Sequence, residues 1–199
     1  MAMRRLEEIM AHNQAFVENE EYEKYWPKRS GNKRLVIVSC MDARLTELLP
    51  KAFNIHDGDA KLIKNAGAII TAPFGNIMRS VLVALYELNG NEVVICGHHD
   101  CGMTGIDPQT VVGHMVERGV PAQTIKTLHH SGVDFDKWLT GFENVQSSVT
   151  KSVDIVRNHP LLPPNTPVHG MIIDPKTGAL EWVVDGYEYL EREAAEEQA

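Results

Sequence analysis

No stretch of this chain stays apolar for the roughly 18 residues that a bilayer-spanning helix needs, so a membrane protein is not expected. Positive charge is also short: 19 Lys and Arg stand against 27 Asp and Glu, a formal net charge of −8. Nucleic acid or an anionic membrane surface needs a concentrated basic face to displace counterions, and neither is expected as the main partner. Cysteine is scarce, with three in 199 residues. An odd count without a C-x-x-C pair argues against a disulfide framework and against a four-ligand structural metal site. A phosphate-cradling G-x-G-x-x-G loop is missing from the end of the first apolar strand, where a nucleotide-binding domain would carry it. The first residues, Met1 to Glu8, run from basic into acidic positions instead of an apolar block, so a secretion signal is not expected and a cytoplasmic protein is.

What is present suits one compact domain, since 43% of the 199 residues are hydrophobic. Residues 1–30 read as an N-terminal helical arm, 34–184 as the core and 185–199 as an acidic tail, of which Glu191 to Ala199, acidic and Ala-rich, reads as a frayed, solvated end and not a site. Leu6, Ile9, Met10, Phe16 and Val17 recur at helical spacing, and Pro27 with Ser30, Gly31 and Asn32 breaks that pattern. The β-branched run 34–39 predicts a strand buried on both faces, and 60–65 predicts a second strand. Ile77, Val81, Leu82, Leu85 and Leu88 predict a helix between Pro73 and Asn89, stopped by Gly90. Another buried strand follows at 92–96. From Pro108 to His159 the chain reads as mostly helix, with Val145, Val149, Val153 and Val156 on one face. Residues 168–173 and 180–184 predict a terminal strand pair around a tight turn. The fold expected is α/β: a single domain with a mainly parallel sheet, about four parallel strands plus a C-terminal antiparallel one, flanked by helices. Ligands in such sheets sit beyond the carboxyl ends of the strands.

Two short motifs lie at such ends. Cys40, Met41, Asp42, Ala43 and Arg44 follow the first strand, and a chain that stays extended there turns Cys40, Asp42 and Arg44 to one side. His98 and Cys101 follow the third strand, three apart, and converge on one ion if the strand turns into a helix. Cys40, His98 and Cys101 together form a sulfur and nitrogen donor set for Zn²⁺, and three protein ligands leave one position open, as catalytic zinc sites do. Each motif alone is weak, because H-x-x-C arises by chance and C-x-D-x-R also fits a helix entrance with an Asp–Arg surface pair. Cys96 reads as a buried core filler. His12, His56, His114, His129, His130, His159 and His169 show no ligand spacing.

The pair of motifs resembles the β-carbonic anhydrases, whose strands end in C-x-D-x-R and later in H-x-x-C, and all five residues match. The likeness extends to Asn65, Ala66 and Gly67, to Gly97 and Gly102, and to the hairpin from His169 through Gly178, and it covers most of 35–184. It implies one Zn²⁺ per subunit on Cys40, His98 and Cys101, with reversible hydration of carbon dioxide to bicarbonate and a proton. Zinc brings the pKa of a bound water from 15.7 toward about 7, and two thiolates temper that effect, so activity should rise toward alkaline pH. Asp42, paired with Arg44, would be kept off the metal and orient the attacking water; Asp42 becomes a fourth ligand only if a closed state exists. Ala66 and Gly67 border the substrate pocket. His99 is a conceivable proton relay, with a rim histidine of no role as its plain alternative. Family members that close carry a Trp before the Cys and an Arg before the Asn; here Val36, Ile37, Val38 and Lys64 stand in those places, which speaks against a second bicarbonate site. The resemblance also implies a homodimer or higher homo-oligomer, with the N-terminal helix either covering its own core or crossing a partner. Competing readings are a carbonyl sulfide or carbon disulfide hydrolase on the same scaffold and a non-catalytic binding protein, which would be expected to lose a ligand or the Asp–Arg pair.

Overall fold

The computed structural model describes residues 4–25 and 33–196. The expected break at Pro27 and Ser30 to Asn32 lies outside the described residues. Five strands, β1 (Leu35–Cys40), β2 (Ala60–Asn65), β3 (Glu92–His98), β4 (Val168–Ile173) and β5 (Leu180–Val184), form one sheet in the order β2-β1-β3-β4-β5. β1, β2, β3 and β4 run parallel, and β5 pairs antiparallel with β4. This is the α/β architecture expected from the alternation of short apolar runs and helical segments.

The helices are α1 (Arg5–Glu18), α2 (Leu45–Ala52), α3 (Asn76–Tyr86), α4 (Pro108–Glu117), α5 (Ala122–His130), α6 (Phe135–Leu139), α7 (Val145–Arg157) and α8 (Gly186–Glu196). One face of the sheet packs Val36, Val38, Val93 and Ile95 against Met78 and Val81 of α3 and Val149, Val153 and Val156 of α7. The other packs Ile37 and Val94 against Leu45 and Leu49 of α2. Burying each such side chain stabilises the fold by about 1.5–3 kcal/mol relative to exposure. The sheet is thus covered on both sides, as parallel strands require. Gly97 and Gly170 permit the close approach of α7: a Cβ at Gly97 would lie 2.8 Å from Val145 and Val149, and one at Gly170 would lie 2.8 Å from Val149.

Three expectations need correction. The chain does not stay extended after Cys40: it leaves β1, and Arg44 adopts right-handed helical angles as the N-cap of α2. No helix follows His98 directly; residues 99–104 form turns, and α4 begins only at Pro108. The end from Glu191, expected to fray, is helical and exposed through Glu196, as the last turns of a helix whose first turn is held at two tyrosines. Tyr187 donates to Glu92 at 2.7 Å, and the Arg157 guanidinium sits 3.7 Å from the centre of the Tyr189 ring. Helix α1 forms as expected, yet it buries none of its side chains, and Leu6 is 75% exposed.

The base of α8 rests on a buried histidine. His169 on β4 accepts the Gly186 N–H at Nδ1 (3.1 Å), while Nε2 lies 3.2 Å from Glu92 and Nδ1 3.8 Å from Asp185. Burial lowers its pKa below the usual 6.5, against the opposing pull of Glu92 and Asp185. The unfolded chain therefore binds this proton more readily than the folded one, and stability should be lost as pH falls through 6.5. Urea unfolding at pH 7 and at pH 5 should show a lower midpoint at pH 5, and His169→Gln should flatten that difference; an undiminished pH slope in the variant would show that other groups carry it.

Candidate metal centre

The sheet brings the two sequence motifs together because β1 lies directly between β2 and β3. Cys40 is the last residue of β1 and faces Asn65, the last of β2, while His98 is the last of β3. The chain goes from β1 to β2 on one side and then crosses to β3 on the other, so the site occupies the switch point where α/β sheets open a crevice. Cys101 returns from the turn after β3, in which Asp100 takes a left-handed φ of 51°. Aspartate tolerates that region better than most residues, because its short side chain can bond locally.

The Sγ atoms of Cys40 and Cys101 and one ring nitrogen of His98 lie within 4.8 Å of one another, all in buried residues. The sulfurs are 3.9 Å apart. His98 Nδ1 is 2.7 Å from the His99 carbonyl, so Nδ1–H donates and Nε2 keeps its lone pair. That Nε2 is buried without a hydrogen-bond partner. A buried acceptor left unpaired costs about 1–3 kcal/mol, and an ion held with the two sulfurs would supply the missing partner.

The backbone tunes the sulfurs. Gly67 N–H donates to Cys40 Sγ at 3.3 Å. Burial pushes the Cys40 thiol up, but the His98 ring and the N–H groups of Gly67 and Asp42 outweigh it and bring the pKa down to about 7. Cys101 goes the other way, to about 11, because burial and the neighbouring Cys40 disfavour a second thiolate more than the Met103 N–H favours it. Those are the tendencies of the protein groups alone; a divalent cation deprotonates coordinating thiols outright. Cys96 is fully buried and its thiol is pushed up to about 12 by burial, consistent with core filling.

Asp42 stands beside this group. Its Oδ2 is 3.8 Å from His98 Nε2, yet its carboxylate is engaged elsewhere. Arg44 donates to it from Nε (3.0 Å), from Nη2 (2.8 Å) and from the backbone N–H (2.9 Å). The Arg44 side-chain bonds hold the Asp42 carboxyl down to about 2. Arg44 in turn donates to the Asp100 carbonyl at 2.9 Å, and the Asp100 carboxylate pairs with Lys176 of the β4–β5 turn at 2.9 Å. Asp100 and Lys176 were not singled out from sequence; the one signal was an Asp inside H-x-x-C, a residue type suited to a left-handed turn. His99 points away from the Cys–His–Cys group: its Nε2 bonds Glu181 of β5 at 2.9 Å. Ala66 and Gly67 form a turn at the end of β2, with Ala66 half-buried and Gly67 buried. Of the remaining histidines, His159 and His169 are buried, His12, His56, His114, His129 and His130 are exposed, and none of the seven belongs to this group.

The fold and site define an α/β protein with a three-ligand candidate metal centre at the mouth of its parallel sheet. The family model for carbonic anhydrase matches residues 35–180. YtiB of Bacillus subtilis, named provisionally as a carbonic anhydrase, is 52% identical over 182 residues, covering 92% of this chain and 97% of its own. The crystal structure of β-carbonic anhydrase isoform I from Trichomonas vaginalis superposes with a TM-score of 0.83 at 34% identity, over 93% of this chain and 100% of the other. A carbon disulfide hydrolase of Acidithiobacillus thiooxidans is 30% identical over 157 residues, 75% of this chain and 76% of its own. The chain belongs to the β-carbonic anhydrase family.

Gly67 gives a direct test of the site's backbone support. It has φ +75°, and a Cβ there would come within 3.0 Å of Ile69 and Met103 side-chain atoms. Gly67→Val should destabilise the fold by about 1–2 kcal/mol for the left-handed angle alone and should weaken metal retention, read by thermal unfolding and by competition with a chelator. Unchanged metal affinity in a folded variant would show that the centre does not depend on the left-handed backbone and close packing at Gly67.

Proposed function

We propose that this protein is a zinc-dependent carbonic anhydrase, catalysing reversible hydration of carbon dioxide to bicarbonate with one Zn²⁺ per subunit. The donor set fits that ion: at Zn–S distances of about 2.3 Å, a tetrahedral site separates two sulfurs by about 3.8 Å, and Cys40 and Cys101 stand 3.9 Å apart. Cys40, His98 and Cys101 would hold the metal. Bound zinc supplies a Lewis acid that generates hydroxide from water near neutral pH.

The observation that carries the reading is the Asp42–Arg44 pair. A free carboxylate 3.8 Å from His98 Nε2 is close enough to take the fourth metal position for itself. Two side-chain bonds from Arg44 hold it back in the open arrangement, and the Asp100 carbonyl fixes Arg44. Held there and ionised across the working pH range, Asp42 accepts a hydrogen bond from the attacking water and fixes which lone pair faces the substrate. The N–H of Gly67 supports Cys40, and with Ala66 it borders the space where carbon dioxide would approach. His99, held by Glu181, remains at most a rim relay for the released proton. The proposal includes a cytoplasmic location and a homodimer or larger homo-oligomer in which α1 crosses a partner.

Carbon disulfide hydrolysis is the second reading, supported by the Acidithiobacillus relative. Zinc stoichiometry with stopped-flow hydration across pH, run beside a carbonyl sulfide and carbon disulfide assay, decides between them. One zinc per chain and carbon dioxide hydration rising with pH are expected, because the water must lose its proton before it attacks; sulfide release with little bicarbonate would favour the alternative. Cys40→Ser should strip or weaken zinc, whereas Asp42→Asn should keep the metal and slow turnover by about 10²-fold. Equal metal loss in the two variants would remove the division of labour between ligand and orienting carboxylate.

A further inference from the structure

Asn65 is the last residue of β2 and supplies no atom to the Cys–His–Cys group. Its backbone is fixed from β1: it stands opposite Cys40 in the sheet register, and its carbonyl accepts the Met41 N–H at 2.8 Å. Its side chain reaches forward along the chain, where Nδ2 donates to the Ile69 carbonyl at 2.6 Å. That bond closes the turn 66–68 across its base. One residue further on, the Ile70 N–H donates to the buried Ser152 hydroxyl of α7 at 3.1 Å.

The turn needs such closure. Gly67 (φ 75°) and Ala68 (φ 55°) are both left-handed, and the second carries a Cβ that this region disfavours. Strained angles persist only where the surroundings over-determine them. The turn matters to the site because the Gly67 N–H donates to Cys40 Sγ at 3.3 Å. Among the described residues the Asn65 Oδ1 is buried without a hydrogen-bond partner. Reversing the amide would set that oxygen against the Ile69 carbonyl, so the network fixes its orientation. A group serving stability alone is expected to have both ends of its amide paired; this one is paired only at the end that holds the turn.

We propose that Asn65 is a positioning residue for the candidate metal centre: its side-chain amide, by holding the Ile69 carbonyl, keeps the Gly67 N–H on Cys40 Sγ. The clamp itself is independent of the zinc reading, whereas its effect on metal binding rests on that reading. Exchange of the Gly67 amide proton is followed by NMR in the full chain, zinc-free and zinc-loaded, for the wild type, Asn65→Ala and Asn65→Asp. Zinc affinity is read by competition with a chelator. Asn65→Asp keeps the size of the side chain, but a carboxylate cannot donate to a carbonyl. In both variants the Gly67 amide should exchange about tenfold faster, as for the loss of one intramolecular hydrogen bond, while the amides of β3 and β4 keep their protection. Asn65→Ala should hold zinc about tenfold more weakly, as when a group supporting a metal ligand is removed. Unchanged Gly67 exchange in either variant overturns the proposal, and so does faster exchange with zinc affinity unchanged in Asn65→Ala. Failure of both variants to fold also overturns it, because the amide would then serve structure alone. A wild type that takes up no zinc sinks the zinc reading, and the clamp is then decided by Gly67 exchange in the zinc-free chain.

Discussion

The site depends on the pairing of β1 with β3. Backbone hydrogen bonds set Leu35 opposite Glu92 and Ser39 opposite Cys96, and that register carries the ends of both strands to the same edge of the sheet. Cys40 and His98 are 58 positions apart in the chain, yet the ladder fixes their relative height without a loop having to find it. Strands packed on both faces by α2, α3 and α7 deform little, and a ligand set built on such elements is held more tightly than one built on loops. Of the three candidate ligands, Cys101 alone comes from a turn, and the left-handed Asp100 shapes that turn.

The second constraint is electrostatic. If Cys40, His98 and Cys101 held a metal, a carboxylate as near as Asp42 would need a stronger claim on it than the metal has, and a guanidinium meeting both oxygens supplies one with fixed geometry. Arg44 is itself tied by its backbone to Asp42 and by its side chain to the carbonyl of Asp100, next to the candidate ligand Cys101. The same turn therefore aims a sulfur and anchors the arginine that restrains Asp42. Lys176 reaches Asp100 from the β4–β5 turn, but both groups are largely exposed, so solvent screens that pair and it adds little.

How far this was legible in the sequence depends on whether the deciding contact is local. β2, β4 and β5 begin and end where their apolar patterns do. β3 runs two residues beyond its expected end at Cys96, because Gly97 and His98 pair with Ile172 and Ile173 of β4, a long-range register that no local propensity carries. Helix α2 escaped because it is short and contains Pro50, although Leu45 and Leu49 four apart were the available sign. Helix α8 was not foreseen, and the frayed end expected from Glu191 is its exposed last part; what holds its start is Tyr187 and Tyr189, which find partners far away in the chain, at Glu92 and Arg157. The grouping of Cys40, Asp42 and Arg44 was right for the wrong reason: strand alternation does not operate past Cys40, and what joins the last two is the turn in which the Arg44 N–H bonds the Asp42 carboxylate. The gathering of Cys40, His98 and Cys101 into one group that could hold a metal was legible because donor chemistry at two strand ends is a property of residue type and position.

Helix α1 raises a different point. It is 14 residues long with no buried side chain, and Leu6, Ile9, Met10 and Val17 are all at least half exposed. Isolated helices of 12–15 residues are marginal in water, and most of a protein helix's stability comes from packing its apolar face. Within the described chain that face packs on little beyond its own neighbourhood, where Phe16 meets Tyr25 at 6.1 Å between ring centres. The two readings of the arm are thereby unequal: among the described residues it does not cover the chain's own core, which favours the proposed reading in which it crosses a partner. A second copy is the surface that the proposed dimer would provide, and burying four such side chains there would supply the stabilisation that the arm lacks alone.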